Sequence, residues 1–180
     1  MKLHTTILLL IISVTLSAQN NKPWKEFISV DGKFRITTPG EMIEKVNEIE
    51  TEIGDVTYFS YIYQDAEKEA ENLVYKVSYV DYPEHTIHSD SVEFVEEFFH
   101  NTIETSIKSV HGNLRYDDEI KLLDYPGRIW RVDYNKGQAT IKTKAFVVGR
   151  RFYQIQVVGL RDKSLNRVQD RFFDSFDLIE

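Results

Sequence analysis

RIWRVDYNKGQATIKTKAFVVGRRFYQIQVVG, residues 128–159, is the stretch that decides the fold. β-Branched and aromatic residues alternate through it, and Lys136-Gly137 and Gly149-Arg150 interrupt it, so it reads as three antiparallel strands joined by turns. Pattern tests the register of the first hairpin. A two-residue loop at Lys136-Gly137 sets Trp130, Val132 and Tyr134 opposite Thr143, Ile141 and Ala139. A slip of one residue would set Trp130 against Lys142. The first register keeps an apolar face together and is preferred, because a one-residue slip turns every side chain to the other face. In the second hairpin Phe146 and Val148 share one face, and Ala145 and Val147 the other. Tyr153, Ile155 and Val157 add to one of these. A sheet apolar on both faces needs cover on both.

Two helices are available as cover. In SDSVEFVEEFFHNTIETSIKSVHG, residues 89–112, the apolar residues Val92, Val95, Phe99, Ile103, Ile107 and Val110 recur every three or four positions and make one stripe. Asp90 with Glu93 predicts a capping box, and Gly112 a C-terminal stop. The second helix is expected from Ser164 to Asp174, with Leu165, Val168, Phe172 and Phe173 on its apolar side. The period then changes to two at Phe176 and Leu178, which predicts a last strand. Asp174-Ser175 therefore marks a helix-to-strand junction, where such side chains bond nearby backbone groups. Ser175 reads as structural, since a nucleophilic serine needs a positioned base and no histidine lies near it in sequence.

Upstream, residues 24–39 read as strand, Asp31-Gly32 turn and strand, stopped by Pro39. Glu44–Ile53 and Val56–Tyr63 flank Gly54-Asp55 as a hairpin. LVYKVSYVDY, residues 73–82, is a strand with Tyr75, Val77 and Tyr79 on one face.

The first twenty residues, MKLHTTILLLIISVTLSAQN, combine Lys2, a short apolar run from Ile7 to Leu16, and small residues at Ser17-Ala18. That is the pattern of a secretory signal peptide, and the run is short of the ~20 residues that span a bilayer. Cleavage after Ala18 would leave 180 − 18 = 162 residues and, without Lys2, move the formal charge from −7 to −8. The expected organisation is a signal peptide over 1–18, a loose leader over 19–26 and one domain over 27–180. The expected location is periplasmic or secreted. No cysteine follows the apolar run, which excludes a lipoprotein anchor. The chain has no cysteine at all, so disulfides, thiol catalysis and thiolate metal sites are excluded as well. The acidic balance gives no general reason to seek nucleic acid or anionic membrane, and no stable membrane span is expected after cleavage.

The two ends of the mature chain share motifs with a known group. Phe27, Gly32, Phe34, Ile36 and Pro39 fit an F-x-x-x-x-G-x-F-x-[IL]-x-x-P opening. Gly149, Tyr153, Ile155 and Val157, and then Ser175, Phe176 and Leu178, fit a G-x-x-x-Y-x-[IL]-x-V strand and an S-F-x-[LV] tail. In these packing motifs the chain resembles the PsbP-like family. The resemblance implies an α+β fold, a three-layer α/β/α sandwich with a central antiparallel sheet and helices on both faces. It also implies non-enzymatic work, since members stabilise a photosynthetic complex, release nucleotide from a small GTPase or chaperone secreted effectors.

Three clusters could carry function. In DYPEHTIHSD, residues 81–90, Asp81, Glu84, His85 and His88 offer the imidazole and carboxylate donors of a metal site; the alternative is a polar loop. On the long helix Glu93, Glu97, His100 and Glu104 share a face, which reads as a solvated charge run or a pH-sensitive patch. In the preferred hairpin register Arg131 faces Lys142, with Lys144 beside Ile129 and near Arg128. Like charges facing across strands destabilise, so Arg128, Arg131, Lys142 and Lys144 form a candidate surface for an acidic partner or anion. Asp133 or the acids of the second helix are the alternative neighbours. The tyrosines could also form a stacking platform for a ligand, although at strand spacing they read first as core. The sequence contains no phosphate-loop, zincin or nucleophile-elbow motif. The reading is an exported, cofactor-free, non-enzymatic binding protein with a protein partner, an accessory or assembly factor. The alternative is a small-ligand or metal-binding protein.

Overall fold

In a computed structural model, residues 23–51, 54–67, 69–83 and 86–179 are described. The expected signal peptide and residues 19–22 of the expected leader lie outside them. Ten strands and two helices follow in the order β1 (Lys25–Ser29), β2 (Phe34–Thr38), β3 (Ile43–Thr51), β4 (Gly54–Gln64), β5 (Val74–Asp81), α1 (Val92–Ser109), β6 (Asn113–Leu122), β7 (Tyr125–Tyr134), β8 (Ala139–Val148), β9 (Arg151–Leu160), α2 (Arg167–Asp174) and β10 (Asp177–Leu178), with a short 3-10 turn at Arg161–Lys163 before α2. Seven strands form one antiparallel sheet in the order β3-β4-β5-β9-β8-β7-β6. β1, β2 and β10 form a second, small antiparallel sheet.

The expected register of the β7–β8 hairpin holds: Trp130 faces Thr143, Val132 faces Ile141 and Arg131 faces Lys142. The loop is longer than a two-residue turn, with Asn135, Lys136 and Gly137 all at positive φ. β6, in which exposed acids interrupt any apolar alternation, was not separable as a strand by pattern.

The three-layer α/β/α expectation is wrong, and the protein is mostly β: strand accounts for 52% of the described residues and helix for 19%. One face of the large sheet carries α1, whose Val95, Phe99 and Ile103 pack with Trp130, Val132, Ala145, Val147 and Phe152. The other face is covered by the small sheet together with α2, through Phe34, Ile36, Phe172, Phe173 and Phe176 against Tyr61, Tyr75, Val77, Tyr79, Phe146, Tyr153 and Ile155. Length explains the difference. An eight-residue α2 is about 12 Å long and cannot roof a seven-stranded sheet about 29 Å wide. β1, β2 and β10 cover the rest.

Helix details differ from the pattern as well. α1 starts at the N-cap Ser91, which makes no side-chain cap bond, so the Asp90–Glu93 capping box does not form. Val92 and Leu165, both expected on apolar stripes, are 72% and 90% exposed. α2 instead buries Gln169 with Phe172 and Phe173. Its N-cap is Asn166, whose side chain accepts from the Gln169 amide at 2.8 Å. At the end of α1 the left-handed residue is His111, at φ 49°, and the Gly112 amide donates to Ile107 O at 3.0 Å. Glycine is needed at 112 for packing, because a Cβ there would meet Val132 Cγ1 at 2.3 Å.

The two motif regions from opposite ends of the chain form one packing unit. Tyr153 Oη donates to Gly32 O at 2.7 Å. A Cβ on Gly32 would fall within 2.8 Å of Tyr79 Cε1, so only glycine lets the β1–β2 turn lie on the sheet. Phe34 stacks on Phe176 at 5.5 Å and meets Tyr153 edge-on at 6.2 Å. Ser175 Oγ donates to Phe172 O at 2.9 Å and accepts from the Thr37 amide at 2.9 Å. Ser175 thus closes α2 and ties it to β2. The folded unit begins ahead of Phe27, since Trp24 packs edge-on against Tyr75 at 5.9 Å.

Candidate functional site

α1 covers only the β7-β8-β9 half of its face. Beside it, over β3, β4 and β5, runs an open groove of about 530 Å³, within the range of roughly 300–1,000 Å³ usual for binding pockets. Its apolar wall is Ile49, Val56, Tyr58, Val80, Tyr82, Phe98 and Phe152. Tyr82 and Phe98 meet edge-on at 5.3 Å, and Phe98 and Phe152 at 4.9 Å. Burial, and then the neighbouring Tyr58, push the Tyr82 hydroxyl above its ordinary pKa. Lys76 rises from the floor with its Nζ 5.2 Å from the centre of the Tyr58 ring. The opposite wall is α1, which presents Asn101, Thr102, Thr105 and Ser109. Among the described residues the side chains of Asn101, Thr102, Thr105 and Gln154 make no hydrogen bond, so they are available to an occupant. Ser106 is not, because its Oγ donates to Ile103 O at 2.7 Å and accepts from Trp130 Nε1 at 3.2 Å.

The groove opens onto an edge of the sheet. Among the described residues β3, nine residues long, pairs on one side only and shows no bulge against β4. Ile43, Val46 and Ile49 on it are 65%, 51% and 41% exposed. The other edge, β6, is built differently. It carries a bulge between Leu114 and Tyr116 and a run of exposed acids at Asp117, Asp118 and Glu119. Bulges and charges of this kind block edge pairing. The β6 edge is interrupted by its bulge, whereas β3 keeps one register along its whole length.

The four basic residues expected to form a contact surface do not do so together. Arg131, Lys142 and Lys144 share the α2 side of the sheet, whereas Arg128 lies on the α1 side opposite Ala145. Each meets acids. Lys142 Nζ is 3.3 Å from Asp170, and Lys144 Nζ is 2.9 Å from Asp174; both also lie over the Phe173 ring. Arg131 Nε is 2.9 Å from Asp133. Arg128 pairs with Glu96 of α1, with Asp117 at 3.8 Å and Glu119 at 3.6 Å. The like charges predicted by register are real, and acids of both helices and of β6 and β7 answer them.

In the loop cluster Glu84 and His85 lie outside the described residues. Asp81 is held in a bidentate pair by Arg151, at 2.6 Å to each oxygen. His88 Nδ1 accepts from the Asp90 amide at 3.3 Å. Among the described residues no three His, Cys, Asp or Glu side chains converge as a metal site. The acidic helix face is solvated: Glu104 takes Lys108 at 2.7 Å and His100 at 3.5 Å. The Lys108 hydrogen bond and charge, with His100, hold its carboxyl below the usual range.

The groove was missed by motif reading, yet one signal was there. Phe98, Asn101, Thr102, Thr105, Ser106 and Ser109 recur at helical spacing and carry no charge, in a chain that is 28% charged. An uncharged polar column beside an apolar stripe marks a wall that is neither core nor solvated face.

No protein-family model matches the sequence, and no curated protein matches it. Among solved structures, the chain is similar to cyanobacterial PsbP (CyanoP) from Synechocystis sp. PCC 6803, with a TM-score of 0.56, over 87% of this chain and 93% of that one. The fold is PsbP-like. At 8% identity the likeness speaks for the fold alone. It agrees with the motif reading at the two chain ends, where Gly32, Phe34, Tyr153, Ser175 and Phe176 meet. Among the described residues no helix is long and apolar enough to cross a membrane.

Proposed function

We propose that the chain is an exported accessory protein that binds another protein and performs no chemistry on it. The observation that supports this most directly is the open β3 edge running into the groove beside α1. The occupant is an extended segment of the partner that pairs its backbone with β3, places one alternate set of side chains against Ile43, Ile49 and the groove wall, and places the other against Val46 on the opposite face. An unpaired edge offers a row of backbone donors and acceptors, and adjacent pockets supply specificity. β3 carries Glu44, Glu48 and Glu50 against a single Lys45, so the segment bears lysine or arginine. The PsbP-like fold and the secretory pattern at residues 1–18 support an accessory role outside the cytoplasm.

The test is co-purification of tagged residues 19–180 from the native envelope and culture medium, with the Ile43→Lys/Val46→Lys variant in parallel. Both side chains are more than half exposed, so stability should change by no more than about 0.5 kcal/mol per site. Recovery of the partner should fall at least about tenfold, the cost of roughly 1.4 kcal/mol of binding. Equal recovery by both forms would rule out β3 as the contact.

A second reading is a small ligand held in the same groove, favoured by its volume and its free amide and hydroxyl side chains. Native mass spectrometry separates the two, since a stoichiometric small molecule carried by the purified chain would favour the ligand.

A further inference from the structure

Three arginines converge on one buried carboxylate at the far end of β7. Asp133 is 1% exposed. Its oxygens receive Arg115 Nε at 2.6 Å and Arg131 Nε at 2.9 Å, with Arg161 Nε at 3.8 Å. Arg115 owes its place to the β6 bulge. Leu114 pairs with Val132 and Tyr116 with Arg131, so Arg115 is the extra residue, and a bulge re-aims the side chain it carries. Arg161 comes from the 3-10 turn after β9, beside the β7–β8 loop. All three approach through Nε. Among the described residues, none of their terminal nitrogens makes a hydrogen bond. Arg131 is largely covered, but Arg115 and Arg161 have side chains 46% and 55% exposed. Three positive charges against one negative leave an excess of two at this carboxylate, in a chain whose formal charge is −7.

We infer that Arg115, Arg131 and Arg161 form an anion site that takes a dianionic phosphate group, with Asp133 as the post that fixes the three guanidiniums. Planar guanidiniums suit phosphate oxygens, and one of them already held in place loses little freedom on binding. The site lies away from the β3 edge and stands independently of the proposed partner contact.

The probe is inorganic phosphate, titrated calorimetrically at pH about 8, where it carries nearly two charges, with sodium chloride holding ionic strength constant. The wild-type chain should show saturable 1:1 binding. Arg115→Gln/Arg161→Gln, which keeps the Arg131–Asp133 pair and so the fold, should bind at least about tenfold more weakly, since a charged hydrogen bond contributes about 1.5–3 kcal/mol. Lys25→Gln/Lys45→Gln, with the same loss of charge elsewhere, should bind as wild type. A phosphate monoester run in parallel identifies the source, because tighter binding than inorganic phosphate marks an esterified ligand and equal or weaker binding marks the free ion. Absence of saturable heat in the wild type, or an equal loss in both double variants, overturns the assignment.

Discussion

Replacing Phe34 by alanine should destabilise the protein by about 3–5 kcal/mol, the usual cost of deleting a buried aromatic. Phe34 is fully buried at the meeting point of the two chain ends. Its ring lies 5.8 Å from Tyr61, 6.2 Å from Tyr153 and 5.5 Å from Phe176, with Phe27 at 6.0 Å. The cavity would border β2, β4, β9 and the residues just after α2 together, so no single element can collapse into it. For a domain of this size the melting temperature should drop by roughly 6–20 °C. Urea denaturation of Phe34→Ala beside wild type checks this. A loss under about 1 kcal/mol would mean that the small sheet and α2 are ornaments on the large sheet rather than its cover.

Asp133→Asn should cost about 3 kcal/mol at neutral pH, because removing one partner leaves buried positive charge without its counterion. The pH dependence follows from the carboxyl's environment. Burial acts to raise its pKa, and the hydrogen bonds and charges of Arg115 and Arg131 outweigh burial, so the folded value lies below the ordinary one. A depressed carboxylate contributes stability that is fully present above its unfolded pKa, about 3.9, and is lost as pH falls through the folded value. The gap between wild type and Asp133→Asn should therefore be constant above about pH 5 and narrow steadily below about pH 4. Stability measured by denaturant at several pH values tests it. A gap that widens in acid would contradict the assigned direction.

How far the sequence reaches differs from place to place. The β7–β8 register was readable because Trp130, Val132 and Ile141 alternate without exception, and a slip would have buried Lys142. The role of Ser175 was readable because the period changes beside it. The layer opposite α1 was not readable. Pattern marks that a face needs cover but not which element is long enough to give it, and a stripe including Leu165 made α2 look longer than it is. The neighbours of the basic residues were hidden for a related reason. Arg131 faces Lys142 as expected, but the acids that meet Lys142 and Lys144 are Asp170 and Asp174, brought over by α2 from some thirty residues away. Arg128 could have been excluded, since a spacing of three from Arg131 puts it on the other face of a strand. The open edge at β3 depends on strand order, and in a sheet where β5 pairs with β9 across seventy intervening residues, local sequence does not encode it.

The most direct measurement is hydrogen exchange on the complex that the chain forms with its captured partner. Addition of a partner strand to the open edge predicts slowed exchange of backbone amides across residues 43–50, with the groove wall of α1, residues 98–109, slowed alongside. Unchanged exchange on β3, with protection confined to β6 or to the α2 side, would contradict the account.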